Sequence, residues 1–242
     1  MMRKHPYLYS MAVIFIMWWL ISNLGIRYIP SPFETIIYIA VKWSTIFKHI
    51  SVSLGRVFVA ILATMVFGSS IGILLGRSER VDQYFSPLFY TFYPVPKIAF
   101  LPLLILMFGI GNGSKIVLVI LILFFQTVLS IRDAVKNIPN AHFLAMKSLK
   151  PSQIQIYRHL IIPAILPALF TALRLSIGTA LSVLFFSENY ATRYGIGFYI
   201  MDSWLKMDYT GMFAGIVAIS LMGSLLFKVI DETERRLCPW NH

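Results

Sequence analysis

The sequence predicts an all-α, polytopic integral membrane protein of about six transmembrane helices, and three observations carry that expectation. Of 242 residues, 58% are hydrophobic and only 13% are charged, whereas a soluble domain carries charge on about a quarter of its residues. Mean hydropathy is +0.75. Several apolar runs approach the ~20 residues needed to cross ~30 Å of hydrocarbon.

The first run, Tyr7 to Ile26, follows Arg3–Lys4 as a signal peptide would. No small-residue cleavage site comes after it, and Trp18 and Trp19 are foreign to such a core, so it reads as a retained anchor. Pro30 to His49 mixes Phe33, Ile36, Ile37, Ile39 and Trp43 with Glu34, Lys42 and Lys48, which suits an interfacial amphipathic helix. The second span is Ile50 to Leu75, closed by the polar GRSERVDQ. Within it Gly68, Gly72 and Gly76 share one helical face and let a neighbouring backbone approach, most simply inside the same subunit. The third, Pro87 to Phe108, is broken by Pro94, Pro96 and Pro102. Freed carbonyls at membrane depth belong in protein or along a cavity, so YPVPKIAFLP is a candidate pathway wall. The fourth, fifth and sixth spans are Lys115 to Ile131, Ile165 to Phe186 and Gly211 to Ile230. Residues 1–49 thus form an anchor and interfacial helix, and residues 50–242 a core with a cytosolic segment at 132–163 that is the candidate for coupling to a partner.

Charge sets the expected orientation. The formal net charge of +11 forms no single basic stripe, which argues against nucleic acid as a partner. The cations sit at the ends of apolar runs, beside lipid headgroups. With both termini in the cytoplasm, twelve inner cations (Arg3, Lys4, Arg77, Arg80, Arg132, Lys136, Lys147, Lys150, Arg158, Lys228, Arg235 and Arg236) face seven outer ones (Arg27, Lys42, Lys48, Arg56, Lys115, Arg193 and Lys206). Cys238 is the only cysteine, so no internal disulfide forms, and beside a cytosolic tail it reads as inert. No CxxC, Cys/His cluster or HExxH appears, and His49, His142 and His159 are scattered, which leaves no recognisable metal site.

Ionisable groups inside spans are expensive and usually face protein or water. Lys97 either snorkels to the inner interface or lines the path. Arg174 lies deeper. Glu188 ends the same helix fourteen positions on, about 21 Å away at 1.5 Å per residue, so the two cannot pair. Arg174 contacts either lipid phosphate or the path, and Glu188 either caps helix packing at the outer surface or lines the path. In TRYGIGFYIMDSWLKMDYTGM, Gly195 and Gly197 suit a turn of positive φ. Phe198, Tyr199 and Trp204 suit an interface belt on an outer loop and short helix.

The loop from Pro139 to Pro167 is basic, proline-bounded and set between two spans. Its apolar patch of Phe143, Leu144, Ala145 and Met146 projects where lipid does not reach and asks for a protein partner. Two readings stand at this point, a docking segment or an ordinary solvated loop.

The order of these segments resembles the permease subunit of ATP-binding-cassette importers, in the nitrate/sulfonate/taurine/bicarbonate branch of the binding-protein-dependent family. The likeness runs from SLGRVFVAILATMVFGSSIGILLGRS through PVPKIAFLPLLILMFGIGNGSKI to ERRLCPW, with FFSE ending at Glu188 and the YGIG turn between. The family signature is EAA, three residues, Gly, nine residues, then I-x-L-P. Leu160-Ile161-Ile162-Pro163 sets a register that puts Leu144-Ala145-Met146 at EAA and Lys150 at the glycine, so the Glu and the Gly are both replaced.

The resemblance implies the type I importer permease fold in the cell inner membrane, and a machine of two permeases, two ATPase subunits and an external binding protein. It places an Asn140–Lys147 helix in a groove of the ATPase, with Asn140, His142, Phe143, Leu144, Ala145, Met146, Lys147, Lys150 and Pro163 as the coupling set. Phe143 and Met146 are expected to reach the partner. The chain has no GxxxxGK[ST] phosphate loop, so ATP and Mg belong to the partner ATPase and no cofactor is expected on this chain. The implied cargo is a small anionic solute. The competing readings are a channel or receptor without an ATPase, an importer of a thiamine-precursor pyrimidine or other small organic molecule, and a membrane enzyme. The last lacks any close carboxylate pair or Ser/His/Asp spacing.

Overall fold

The structure, a computed structural model, describes residues 6–26 and 28–241. Arg3, Lys4 and Arg27 of the charge count lie outside the described residues. Every regular element among those described is helical. The chain divides into two compact units, one holding residues up to Ser53 with Glu188–Met222, the other Leu54–Ser187 with the residues from Gly223 on.

In the first unit, α1 (Pro6–Ser22) stops short of the expected Ile26, and Gly25 turns the chain at φ +73°. Its 17 residues are about 26 Å long, near the lower limit for a span. The Trp18 indole N–H donates to the Pro30 carbonyl at 3.1 Å, and its ring stacks on Phe213. The interfacial helix is α2 (Pro32–Val41), shorter than expected because a capping box starts it and Lys42 ends it. Glu34 N–H donates to Ser31 Oγ at 3.2 Å, and Ser31 N–H returns to Glu34 Oε2 at 3.0 Å. Phe33, Ile36 and Ile37 stay exposed on it, as an interfacial helix requires.

α3 (Trp43–Arg77) begins before the expected Ile50. In the second unit the polar GRSERVDQ segment closes α3 as expected, and Ser78 caps α4 (Glu79–Phe92) by accepting from Val81 N–H. The proline break falls where expected. After α4 come Pro94 and Pro96, a 3₁₀ turn at Lys97–Phe100 and α5 (Leu101–Phe108), with an 80° bend between the two arms. α6 (Asn112–Lys136) follows, then α7 (Asn140–Lys147) and a continuous helical stretch. That stretch comprises α8 (Gln153–Ile156), a π turn at Tyr157–Ile161 and α9 (Ile162–Glu188). α10 (Ile196–Leu205) and α11 (Tyr209–Leu237) complete the order. Among the described residues four helices are long and apolar enough to cross a membrane, or five if the bent α4–α5 pair is one broken span. α1 is the remaining candidate of the six expected.

The glycine stripe packs inside the subunit. A Cβ on Gly68 would sit 3.1 Å from Thr127 Cγ2, one on Gly72 2.8 Å from Ile131 Cβ, and one on Gly76 2.5 Å from Val135 Cβ. Two four-residue repeats therefore interlock, α3 against α6. Asp82 secures the expected inner end of this pair. Its buried carboxylate accepts from Arg132 Nη2 at 2.7 Å, and from Lys136 and Ser86. Two of the seven outer cations are likewise interior. Arg56 is 4% exposed and donates to Asn112 Oδ1 at 2.8 Å, and Lys115 is fully buried. The expected asymmetry of surface charge is thereby larger than the count from sequence.

Overpacking at such contacts costs about 1–3 kcal/mol. In detergent, Gly76→Ala and Gly72→Ala are expected to lower the unfolding midpoint more than Gly68→Ala. Gly178→Ala, where a Cβ meets nothing within 4 Å, is expected to leave it unchanged or raise it. Equal losses at all four positions would remove the interlock as the cause.

Candidate functional site

α7 stands between α6 and α8 and has the expected bounds, Asn140–Lys147. Its faces differ from expectation. Phe143 and Met146 are half-buried against the cluster of Ile131, Val135, Ile138, Ile156, Ile161 and Ile165, and the Arg77 guanidinium lies 5.1 Å from the Phe143 ring centre. These two residues seat α7 on its own subunit; they are not the projecting knob. Leu144 projects instead, 65% exposed, with Leu149 and Ile154 exposed beyond it. Asn140, His142, Ala145 and Lys147 share its exposed surface. The sequence showed a four-residue apolar patch, but the 3.6-residue period turns Phe143 and Met146 to one side and Leu144 to the other.

Lys150 closes the segment with φ +49°. This left-handed conformation favours glycine, and it occurs at the position where the family signature carries one. Ser152 then starts the next helix through a second capping box, with Gln155 Oε1 accepting from Ser152 N–H at 2.7 Å. Pro163 has no N–H to give to the preceding turn, and the wide π turn directly before it accommodates its ring. Residues 148–152 thus separate α7 from the next helix, and from α8 on the helix runs through the π turn into α9 without a break.

Each of the three intramembrane charges has a partner in the fold. Lys97 does not snorkel. It is 8% exposed, and its Nζ donates to the carbonyls of Phe92 and Tyr93 at 2.8 Å and of Val95 at 3.3 Å, closing the C-terminal end of α4 at the bend. Arg174 neither reaches for lipid phosphate nor stands open. Its Nε donates to Asp231 Oδ1 at 2.7 Å and its Nη2 to Glu234, tying α9 to α11. Only the acids near the chain's end, Asp231, Glu232 and Glu234, could have signalled this pairing from sequence.

Glu188 takes the helix-packing role. Fully buried, it accepts from Ser53 Oγ at 2.7 Å and from Gly197 N–H at 2.8 Å, while Ser53 Oγ accepts from Ile196 N–H at 2.8 Å. The carboxylate thus occupies the positive N-terminus of α10. Gly195, at φ +143°, passes so close that a Cβ would lie 2.3 Å from Glu188 Cδ. Gly197 needs no positive φ, since it lies inside α10. His49 Nδ1 meets the Gly195 backbone, 3.1 Å from its N–H and 3.0 Å from its carbonyl. Tyr199 is buried here instead of joining an interface belt, while Trp204 is exposed. At the start of α11, Asp208 accepts from Tyr38 Oη at 2.5 Å and from Gly211 N–H at 2.8 Å. Burial and that hydrogen bond push the Tyr38 phenol well above the ordinary tyrosine range.

Gly195→Ala combines strained backbone with a clash, so a loss of about 3 kcal/mol or more is expected in denaturant titrations. Lys150→Gly, relieving a left-handed residue at the cost of unfolded-chain entropy, is expected to be neutral or stabilising by up to about 1 kcal/mol. A destabilised Lys150→Gly would show that the lysine side chain, not the backbone angle, matters there.

Known proteins match this arrangement along most of the chain. Residues 65–237 match the family described as the binding-protein-dependent transport system inner membrane component. The taurine transport system permease protein TauC of Escherichia coli is 31% identical over 242 residues, covering 96% of this chain and 88% of the relative. A putative aliphatic sulfonates transport permease protein, SsuC of Bacillus subtilis, is 30% identical over 96% of this chain and 86% of its own. The nitrate import permease protein NrtB of Leptolyngbya laminosa is 27% identical over 80% and 70%. Among solved structures, an inward-facing MetNI methionine ABC transporter has the same fold, with TM-score 0.68 and 20% identity over 81% of this chain and 97% of that one. A bacterial alginate ABC transporter aligns over 98% and 96%, with TM-score 0.67 and 15% identity. With its long apolar helices, proline-broken span and EAA-register loop in place, the chain belongs to the family of binding-protein-dependent transport system inner membrane components, as a multi-pass permease subunit.

Proposed function

We propose that this permease subunit pairs with a second, identical copy and imports a small anionic solute delivered by an external binding protein, driven by two cytosolic ATPase subunits. The observation that carries the reading is the exposed face of α7. Leu144 projects from a short helix that is seated firmly on its own subunit and is linked, by the turn at Lys150, to the 36-residue helical stretch Gln153–Glu188. A partner gripping Leu144 pulls on that helix, and alternating access needs two packings favoured by different partner states.

ATP and Mg reside on the ATPase in this reading, and the permease supplies no nucleotide site. Both termini face the cytoplasm, which puts α7 on the ATPase side and the Glu188–Gly195 turn on the binding-protein side. The anionic cargo follows the taurine, sulfonate and nitrate named for the relatives. A formylaminopyrimidine permease, ThiX of Halalkalibacterium halodurans, is 27% identical over 88% of this chain. It keeps a small organic solute as the second reading.

Leu144→Asp is expected to cut ATPase stimulation by the loaded binding protein at least tenfold in proteoliposomes, with the permease still inserted and monodisperse. Phe143→Ala is expected to lower thermal stability first, by about 2–4 kcal/mol, because it empties a packed site. Unchanged stimulation in Leu144→Asp would sink the coupling role. A purified permease that retains no ATPase at all would favour a channel or receptor.

A further inference from the structure

Gln126 is the polar residue of α6 that the packing turns to a cavity. It lies in the apolar run ILILFFQTVLS, and no hydrogen-bond partner reaches its amide among the described residues. An amide at membrane depth is expensive unless something hydrogen-bonds it. Gln126 borders a cavity of about 480 Å³ between the α4–α5 break, α6 and α9, whose other polar lining is Tyr93, Lys97, Thr179 and Ser182.

No Asp or Glu lines this cavity. Its one formal charge is Lys97, whose Nζ is held by three carbonyls and so cannot swing toward a ligand. The charge is fixed on the wall and carries no carboxylate counter-ion. The hydroxyls of Thr179 and Ser182 donate to the carbonyls of Leu175 and Gly178 in their own helix, at 3.1 and 3.0 Å. The amide of Gln126 is therefore an uncommitted donor of the cavity, as is the Tyr93 phenol, and it faces a positive wall.

We propose that this cavity is a holding site for a small oxyanion of sulfonate or nitrate size, in which Gln126 donates its amide N–H to the anion and Lys97 sets the sign of the field. Lys97 acts at a distance, as a positioning charge. The site rests on the importer reading in that the oxyanion is the solute in transit. The specificity it adds is by charge: the binding protein selects the molecule, and the cavity rejects cations and passes anions.

The test uses the full-length permease in detergent and needs neither ATPase nor binding protein. The native Cys238 is fully buried, and burial pushes its thiol pKa up, so it is a quiet background. Ser182→Cys places one thiol in the cavity, and Thr171→Cys places one on the exposed face of α9 outside it. The anionic reagent methanethiosulfonate ethylsulfonate is compared with its cationic trimethylammonium counterpart. The anionic-to-cationic rate ratio is expected to be about tenfold higher at position 182 than at 171. Gln126→Glu, which adds a negative charge without touching the Lys97 cap, is expected to reverse that preference.

Millimolar ethanesulfonate is expected to slow modification at 182, and Gln126→Leu to remove the protection. Equal ratios at 182 and 171, or protection that survives Gln126→Leu, would overturn the assignment. Intact anion preference and protection without ATP-driven uptake would leave the site standing and sink only the importer reading.

Discussion

Inside hydrocarbon no water is present to satisfy a charge, and that single constraint organises most of this molecule. Asp82, Lys97, Arg174 and Glu188 are each tied to another helix or to a helix end. Asp82 gathers Arg132 and Lys136, so α4 is fixed to α6. Arg174 reaches Asp231 and Glu234, so α9 is fixed to α11. Glu188 holds the first N–H groups of α10 through itself and Ser53, and Lys97 closes the carbonyls at the bend. The apolar surfaces bring the helices together without much direction, since lipid competes equally for them. The charges and the close-approach glycines choose which faces meet.

This explains how far the fold could be read from the residues alone. Spans, breaks and caps are local, and hydropathy, Pro94 with Pro96, and the register of Gly68, Gly72 and Gly76 expose them directly. Partners are not local. Arg174 and Asp231 are separated by 57 positions, and Asp82 and Arg132 by 50, and nothing in either neighbourhood names the other. An unpaired charge in a sequence therefore looks like a functional residue until the fold supplies its counter-ion. Here the fold supplied one for Arg174, and helix ends for Glu188 and Lys97.

The candidate site divides along the same line. The helix at residues 140–147 was legible because Pro139 and the polar run after Lys147 frame it. The face it offers was not legible, because the direction of Phe143 and Met146 depends on the isoleucine cluster from α6 and the following helices. Gln126 is illegible for a related reason: it is an uncharged residue in an apolar run, and only the packing of α6 against its neighbours turns its amide to a cavity.

The left-handed Lys150 carries a wider lesson about motifs. A signature written in letters records which amino acids most often satisfy a requirement, and the requirement here is a torsion angle. Glycine meets it at least cost, yet a neighbourhood that over-determines the turn can impose it on a lysine. Members of such a family that have lost the letter have not thereby lost the bend. Two chains that look divergent at this position can share the same backbone path from the peripheral helix into the membrane. A comparison of φ values across relatives would group sequences that a residue pattern separates. It would set apart those with Val, Ile or Thr at this point, where a β-branched side chain resists the left-handed region most strongly.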